Sequence, residues 1–179
     1  MGAWGIKTFE NDCAQDWISE FLEEKNLSLV AIKFFEVTKE TIEKPDELLD
    51  SDLATEVLAS AELVSALLGA PSDELPVKII KWLEKKKITY DKGLISMFNE
   101  IVKNTDFEND FKSLWKDYSK VEKWGFVLNC LSDYAVKSIE IVLEKSELKE
   151  LWLESEEYEN WVNEVNNLKN RCKKNNVGN

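Results

Sequence analysis

Apolar residues recur at steps of three and four along most of this chain, which is the spacing of a helix with one buried face. The stretch after Asn11 and Asp12, either of which can cap a helix, is a clear case. Its apolar positions are Ala14, Trp17, Ile18, Phe21 and Leu22. The same pattern predicts helices over residues 11–26, 27–43, 51–69, 75–87, 90–104, 105–118, 122–145, 147–154 and 155–171.

The second of these segments admits two interpretations. Its β-branched residues suit a strand as well as a helix. The length of the segment and the acidic face formed by Glu36, Glu40 and Glu43 favour a helix. Lys44 and Pro45 are expected to end it, because the residue before a proline avoids helical backbone angles.

The order of burial among the helices is also predicted by the pattern. The segment 122–145 is apolar on nearly all sides, so we expect it to be the central helix. An earlier segment, which ends at Gly69, carries a stripe rich in small residues that permit close packing. Ser146 and Ser155 are expected to cap the last two helices.

Length and composition set the fold class. A chain of 179 residues with 44% hydrophobic residues can form one domain with a sizeable core. Only 6 glycines and 3 prolines interrupt it, which leaves too few turns for a sandwich of short strands. We therefore predict an all-α fold: a single irregular helical bundle of about eight or nine helices over residues 1–179, with a frayed tail at residues 173–179.

Cysteine and histidine usage limits the cofactors. Cys13, Cys130 and Cys172 are widely spaced, and the chain has no histidine to complete a soft-metal site. Unpaired thiols are typical of a reducing compartment. No apolar run approaches the ~18 residues that span a membrane, and no signal segment is recognisable. We therefore predict a cytoplasmic protein that has no cofactor, no bound metal and no contact with a membrane.

The charge is strongly negative and unevenly placed. The net charge is −12, from 23 basic and 35 acidic residues. Residues 36–74 hold eleven acidic residues against two lysines, whereas residues 75–123 hold eleven lysines against eight carboxylates. Because a negative chain repels phosphate backbones, we expect a basic protein partner and no direct nucleic-acid binding, although charge of this kind also serves solubility alone. The predicted acidic partner surface consists of Glu36, Glu40, Glu43, Asp46, Glu47, Asp50, Asp52, Glu156, Glu157 and Glu159.

Three separated blocks stand out from the helical pattern. They are the opening Met1-Gly-Ala-Trp-Gly with Phe9, Asn11, Asp12, Ala14, Asp16 and Trp17, the run ASAELVSALLGAP at 59–71 with Leu75 and Pro76, and the run SELKELWLES at 146–155 with Trp161, Val165, Leu168 and Arg171. In order and spacing they resemble a bacterial family named domain of unknown function 4259. The resemblance implies a small, mostly helical cytosolic protein with no established chemistry, and an association with toxin and defence genes. It leaves the lysine-rich stretch at about 85–123 as a helical insertion.

Polar residues of the three blocks come together if the blocks pack against one another. This predicted polar cluster consists of Asn11, Asp12, Asp16, Glu62, Glu147 and Glu150. Grouped carboxylates can hold a hard cation through oxygen ligands, which is the basis of one alternative, a metal-dependent enzyme of unknown reaction. The simpler interpretation is that Asp16, Glu62 and Glu150 cap helices or accept hydrogen bonds from tryptophan side chains.

The function predicted from these features is non-enzymatic binding. We expect an immunity-like or antitoxin-like protein that occludes a basic protein partner with its acidic surface. Catalysis is disfavoured because no histidine is available as a base and no phosphate-binding loop is recognisable. A second alternative, an inhibitor that imitates DNA, requires two long rows of carboxylates, and the lysine-rich middle of the chain argues against it.

Overall fold

A computed structural model describes residues 5–24, 26–86, 91–104 and 109–173, and within them the chain forms nine α-helices and no strand. The all-α prediction is confirmed, and the ambiguous second segment is a helix. The start of the predicted helix 105–118, parts of the predicted insertion and the tail from 174 onward lie outside the described residues. The helices are α1 (Asp12–Glu24), α2 (Ser28–Glu43), α3 (Ser51–Leu67), α4 (Val77–Lys86), α5 (Lys92–Asn104), α6 (Asn109–Asp117), α7 (Lys120–Lys145), α8 (Glu147–Leu153) and α9 (Tyr158–Cys172).

Helix α3 lies at the centre of the bundle. It packs against α1, α2, α7, α8 and α9, and eleven of its 17 residues are buried. Small side chains such as Ala54, Ala59 and Ala61 let the neighbouring helices approach closely. The prediction that the helix over 122–145 is central was therefore wrong. Helix α7 packs along α3 but buries a single stripe, because the small residues that admit neighbours on several sides are on α3.

Side-chain caps fix several helix ends as the sequence predicted. Asn11 Oδ1 accepts hydrogen bonds from the backbone N–H of Cys13 at 2.8 Å and of Ala14 at 3.4 Å, so α1 begins where expected. Ser146 Oγ accepts from Lys149 N at 3.0 Å and starts α8. The backbone of Ser146 also forms an isolated parallel bridge with Leu49, which ties the segment before α3 to the junction of α7 and α8.

Two helix starts differ from the prediction. Helix α7 begins slightly earlier than expected, because Ser119 and Glu122 form a reciprocal capping box. Ser155 does not cap α9. Its hydroxyl accepts from Glu157 N at 3.1 Å within a turn, and the helix begins only at Tyr158.

Because α3 is central, its apolar side chains are packed by several neighbouring helices at once. Leu63 is fully buried, so Leu63→Ala should lower the free energy of unfolding by about 2–5 kcal/mol. Ile42 is 74% exposed, so Ile42→Ala should change it by less than about 0.5 kcal/mol. Urea unfolding measures the change in free energy for both variants, and an unchanged m-value shows that only the stability has changed. Equal effects of the two substitutions would contradict the placement of α3.

Candidate functional site

An ion pair between α3 and α9 carries the most deeply buried carboxylate of the described residues. Arg171 Nη2 lies 2.6 Å from Glu62 Oε1, and Arg171 Nη1 lies 2.8 Å from Glu62 Oε2. The side chains of Glu62 and Arg171 are 4% and 16% exposed. The guanidinium therefore engages both oxygens of the carboxylate, which is a stronger and more directional contact than a lysine could make.

The end of α3 supplies further acceptors for Arg171. The turn that follows α3 contains Gly69 with φ 84°, a backbone conformation that favours glycine. The turn is closed by Ala70 N, which donates to Ser65 O at 2.9 Å, and by Gly69 N, which donates to Ala66 O at 3.1 Å. Ser65 Oγ and the Ala70 carbonyl then accept from Arg171 Nη1 at 2.9 and 3.3 Å. All four acceptors of the guanidinium are therefore provided within α3 and its terminal turn.

The neighbouring residue extends this attachment to α7. Cys172 is fully buried, and its thiol donates to Ala61 O at 3.3 Å. Ser132 Oγ on α7 donates to the carbonyl of Cys172 at 2.7 Å. Burial by itself lowers the pKa of Arg171, but the hydrogen bond and charge of Glu62 outweigh it and the pKa is raised. The last turn of α9 is thus held by α3 through the guanidinium of Arg171 and by α7 through the hydroxyl of Ser132.

A cavity of about 250 Å³ opens beside Glu62. The beginning of the described chain forms one wall, where the backbone N–H of Lys7 donates to Glu10 Oε2 at 3.2 Å and the Lys7 ammonium pairs with Glu74. Glu164 on α9 closes another side. The lining is Lys7, Thr8, Phe9, Glu10, Gln15, Glu62, Ser72, Glu74, Pro76 and Glu164.

A second concavity, which we call the acidic groove, has a volume of about 420 Å³ and lies between α2 and the beginning of α3. Lys33 Nζ bridges the two helices at 2.8 Å from Glu56 Oε2 and 3.1 Å from Glu36 Oε2. Burial lowers the pKa of Lys33, but its hydrogen bonds to the two carboxylates prevail and raise it. The charged residues of the groove are Glu36, Glu40, Glu43, Asp50, Asp52 and Glu56 with Lys33, Lys39 and Lys44, so six negative and three positive charges leave a net −3.

The predicted polar cluster does not form one site. The three sequence blocks do pack together, through α1, α3, α8 and α9, but their polar side chains point to different places. Asn11 caps α1, Asp12 lies in the first turn of that helix, Asp16, Glu147 and Glu150 are exposed, and Glu62 is buried against Arg171. Within residues 5–24, 26–86, 91–104 and 109–173, no group of three or more such side chains is placed to hold a metal ion.

The interpretation of Glu62 as a helix cap or an acceptor for a tryptophan was wrong, since both of its oxygens bind Arg171. The sequence offered one signal for this pair. Arg171 is the only arginine of the chain, and Glu62 interrupts an otherwise apolar and small-residue stripe. A carboxylate in such a position needs a cationic partner to remain buried.

The predicted acidic surface divides into three groups of residues. Glu36, Glu40, Glu43, Asp50 and Asp52 line the acidic groove. Asp46 and Glu47 are exposed in the loop between α2 and α3, and Glu156, Glu157 and Glu159 are exposed around the start of α9. Sequence reasoning missed five members of the groove: Lys33, Lys39, Lys44, Leu53 and Glu56. The spacing of Lys33 and Glu36 at i and i+3 was the available signal for the first.

The three cysteines are free thiols, and their environments make them weak nucleophiles. Burial raises the pKa of Cys13 to about 11, with the negative charge of Asp52 as a further cause. Burial likewise raises the pKa of Cys130 to about 11 and that of Cys172 to about 12, where Glu62 adds to the effect. At pH 7 such thiols are about 1 part in 10⁴ thiolate or less. None of them is activated for covalent catalysis.

Breaking the buried ion pair should destabilise the protein strongly. In Glu62→Gln the guanidinium stays buried without a counter-charge, so the free energy of unfolding should fall by about 3–5 kcal/mol. The double variant Glu62→Leu with Arg171→Met removes both charges and should recover most of that loss. Chemical denaturation measures the free energy of unfolding of the wild type and of each variant.

The matched control is Glu43→Gln, whose pair with Lys39 is exposed and spans 3.9 Å. It should change stability by less than about 1 kcal/mol. If Glu62→Gln were no more costly than this control, the ion pair would not hold α9 to α3.

Thiol reactivity tests the local electrostatics. Cys13 and Cys130 are half-buried, and pulse alkylation with iodoacetamide followed by mass spectrometry should give titration midpoints near 11 for both. Glutathione in the same tube should titrate near ~8.5. The pKa of each thiol is higher in the folded protein than in the unfolded chain. The two thiols therefore favour folding at pH values below their pKa in the unfolded chain, and this contribution to stability is lost as the pH rises through 11. Midpoints equal to that of glutathione would contradict the burial of both thiols.

The chain was compared with protein families, with curated proteins and with solved structures. No helix of the described residues is both long and apolar enough to cross a membrane. No curated protein and no solved structure matched the chain. A family model described as Domain of unknown function (DUF4259) matches residues 2–125 and 128–164. These ranges run through the lysine-rich stretch, whose status as an insertion stays a prediction. The match spans most of the chain, and the chain therefore belongs to the family Domain of unknown function (DUF4259).

Proposed function

We propose that this protein is a non-enzymatic binding protein whose acidic groove takes up a positively charged surface of another protein and thereby neutralises that partner, as an immunity protein or antitoxin does. The single observation that carries the proposal is the groove itself. It has a volume of about 420 Å³ and brings six carboxylates together with three lysines. A basic partner is the occupant whose charge complements it.

The carboxylates of the groove are held on rigid elements. Glu36, Glu40 and Glu43 follow one face of α2, and Asp52 and Glu56 lie on the first turns of α3. The bridge from Lys33 to Glu36 and Glu56 fixes the two helices relative to each other. Charges placed in this way need little ordering when a partner binds, which reduces the entropic cost of association.

The lysines of the groove do not remove its acidic character. Lys39 lies 3.9 Å from Glu43, and Lys44 lies 3.4 Å from Glu47. Exposed ion pairs of this kind contribute about 0–1 kcal/mol to the stability of a protein, so a binding partner can replace them at little cost in free energy. Three carboxylates, Glu40, Asp50 and Asp52, line the groove with no ion pair to a lysine among the described salt bridges.

The charge density favours a basic protein over the DNA-mimic alternative. Glu36 and Glu43 are seven residues apart on α2, which corresponds to about 10 Å of helix. Double-stranded DNA carries about six negative charges over that length. The groove carries a net −3, and lysines stand within it, so its field resembles that of an acidic protein interface rather than a phosphate backbone.

The enzyme alternative has weaker support. The cavity beside Glu62, at about 250 Å³, has room for a small substrate and a buried carboxylate in its lining. Its buried carboxylate, however, accepts from Arg171 through both oxygens, so neither oxygen is free to move a proton. The raised pKa values of the three thiols leave no activated sulfur.

We further propose a cytoplasmic location, because three unpaired cysteines suit a reducing compartment.

Affinity capture from the native host's lysate tests the proposal. The wild-type protein should retain one basic protein at a ratio near one to one, and raising the salt from about 50 to 500 mM should reduce the retained amount because exposed charges are screened. The groove variant Glu40→Gln, Glu43→Gln and Asp52→Asn should lose that protein. These substitutions leave the Lys33 bridge intact.

A control with the same loss of charge is Glu156→Gln, Glu157→Gln and Glu159→Gln at the start of α9. It should retain the partner like the wild type, because it leaves the groove unchanged. The absence of a stoichiometric basic partner at either salt, or equal retention by both variants, would contradict the proposal.

A further inference from the structure

Helix α4 presents an outward face that stays exposed among the described residues 5–24, 26–86, 91–104 and 109–173. Its inner side buries Ile79 and Trp82. On the other side Val77 is 62% and Ile80 is 37% exposed, and Lys78 and Lys81 are exposed beside them. The ten residues of α4 contain four lysines and one glutamate. Lys78 and Lys81 make this outward face basic, Val77 and Ile80 make it partly apolar, and it is carried on a regular helix.

The acidic groove complements this face in charge and in length. The groove carries a net −3, whereas α4 carries a net +3 from its four lysines and one glutamate. The groove is bordered on α2 by residues from Lys33 to Glu43, a length of about 15 Å, and the ten residues of α4 also span about 15 Å. The groove wall also contains Leu53, against which an apolar side chain such as Val77 can pack.

In the part of the chain that the structure describes, no residue of α4 lines the acidic groove. The described residues that line the groove belong to α2, α3 and the segment between them, and α4 packs against α1. A second copy of the chain brings the two surfaces together without any rearrangement of either. Most oligomers of soluble proteins are built in this way, from copies of one chain.

We propose that α4 of one copy docks in the acidic groove of a second copy, with Lys78 and Lys81 facing the groove carboxylates and Val77 and Ile80 covered on docking. The contact goes beyond the proposed function, since it needs no foreign protein. If a basic partner also uses the groove, the two occupants compete, and self-association keeps the groove covered until the partner is present.

Symmetry determines how large the assembly becomes. If each copy offers its α4 to the other, two identical contacts close a dimer and double the buried surface. If the exchange is not reciprocal, copies add one after another. Either arrangement depends on the same pair of surfaces, so the same substitutions abolish it.

Sedimentation velocity on the purified full-length protein at about 100 µM tests this inference, at about 50 mM and 500 mM salt. At low salt the wild type should show a mass about twice its 20.7 kDa or higher. At high salt it should approach the monomer. Lys78→Glu with Lys81→Glu, or Glu40→Lys with Glu43→Lys, should weaken the association by about tenfold or more, because like charges then face each other.

Two further samples make the test specific. An equimolar mixture of the two charge-reversed variants should associate again, because opposite charges then meet at both interfaces: the reversed α4 faces the reversed groove, and the unchanged α4 faces the unchanged groove. The control Lys92→Glu with Lys103→Glu on α5 makes the same change in net charge and should associate like the wild type. Circular dichroism verifies that each variant is folded.

A monomeric wild type at low salt would overturn the inference, and so would a mixture that fails to associate or an α5 control that dissociates equally. These outcomes are independent of the proposed function. The α4 variant leaves the acidic groove intact, so it should still capture a basic partner from lysate, and loss of self-association alone would leave that proposal standing.

Discussion

The ion pair between Glu62 and Arg171 is the constraint on which the arrangement of this bundle depends. A carboxylate that is 4% exposed in the central helix is costly unless it is paired and hydrogen-bonded. The geometry of Arg171 satisfies it, since both carboxylate oxygens, a serine hydroxyl and a backbone carbonyl are all engaged. This requirement fixes the end of α9 against α3, and the contacts of Cys172 fix it against α7 as well.

The central helix connects this constraint to the surface that we propose to bind a partner. The first turns of α3 form one wall of the acidic groove, and its later turns carry Glu62 and Ser65. One rigid helix therefore holds the groove at one end and the buried ion pair further along. The bridge from Lys33 to Glu56 adds α2 to the same unit. A groove built in this way presents its charges in fixed positions, which favours selective recognition of a complementary surface.

The sequence predicted the number and type of the helices well, because the apolar spacing and the capping residues are local signals. Asn11 and Ser146 cap the helices that the pattern assigned to them. Prediction from the sequence failed for features that depend on contacts between elements far apart in the chain. The central position of α3 follows from several neighbours that meet on its small residues, and the partner of Glu62 is 109 positions away. The acidic surface was recoverable in part, since its members on α2 share one helical face, while the contribution of Glu56 depends on how α2 and α3 pack.

Native-state hydrogen exchange tests most directly the claim that the buried ion pair joins α9 to α3. The backbone amides in the last turn of α9, around Arg171, should exchange as slowly as those in the middle of α3, because both open only when the whole core unfolds. In Glu62→Gln the amides of that turn should exchange much faster than those of α3. If the last turn of α9 already exchanged rapidly in the wild type, as a fraying helix end does, the ion pair would not be the constraint that organises this fold.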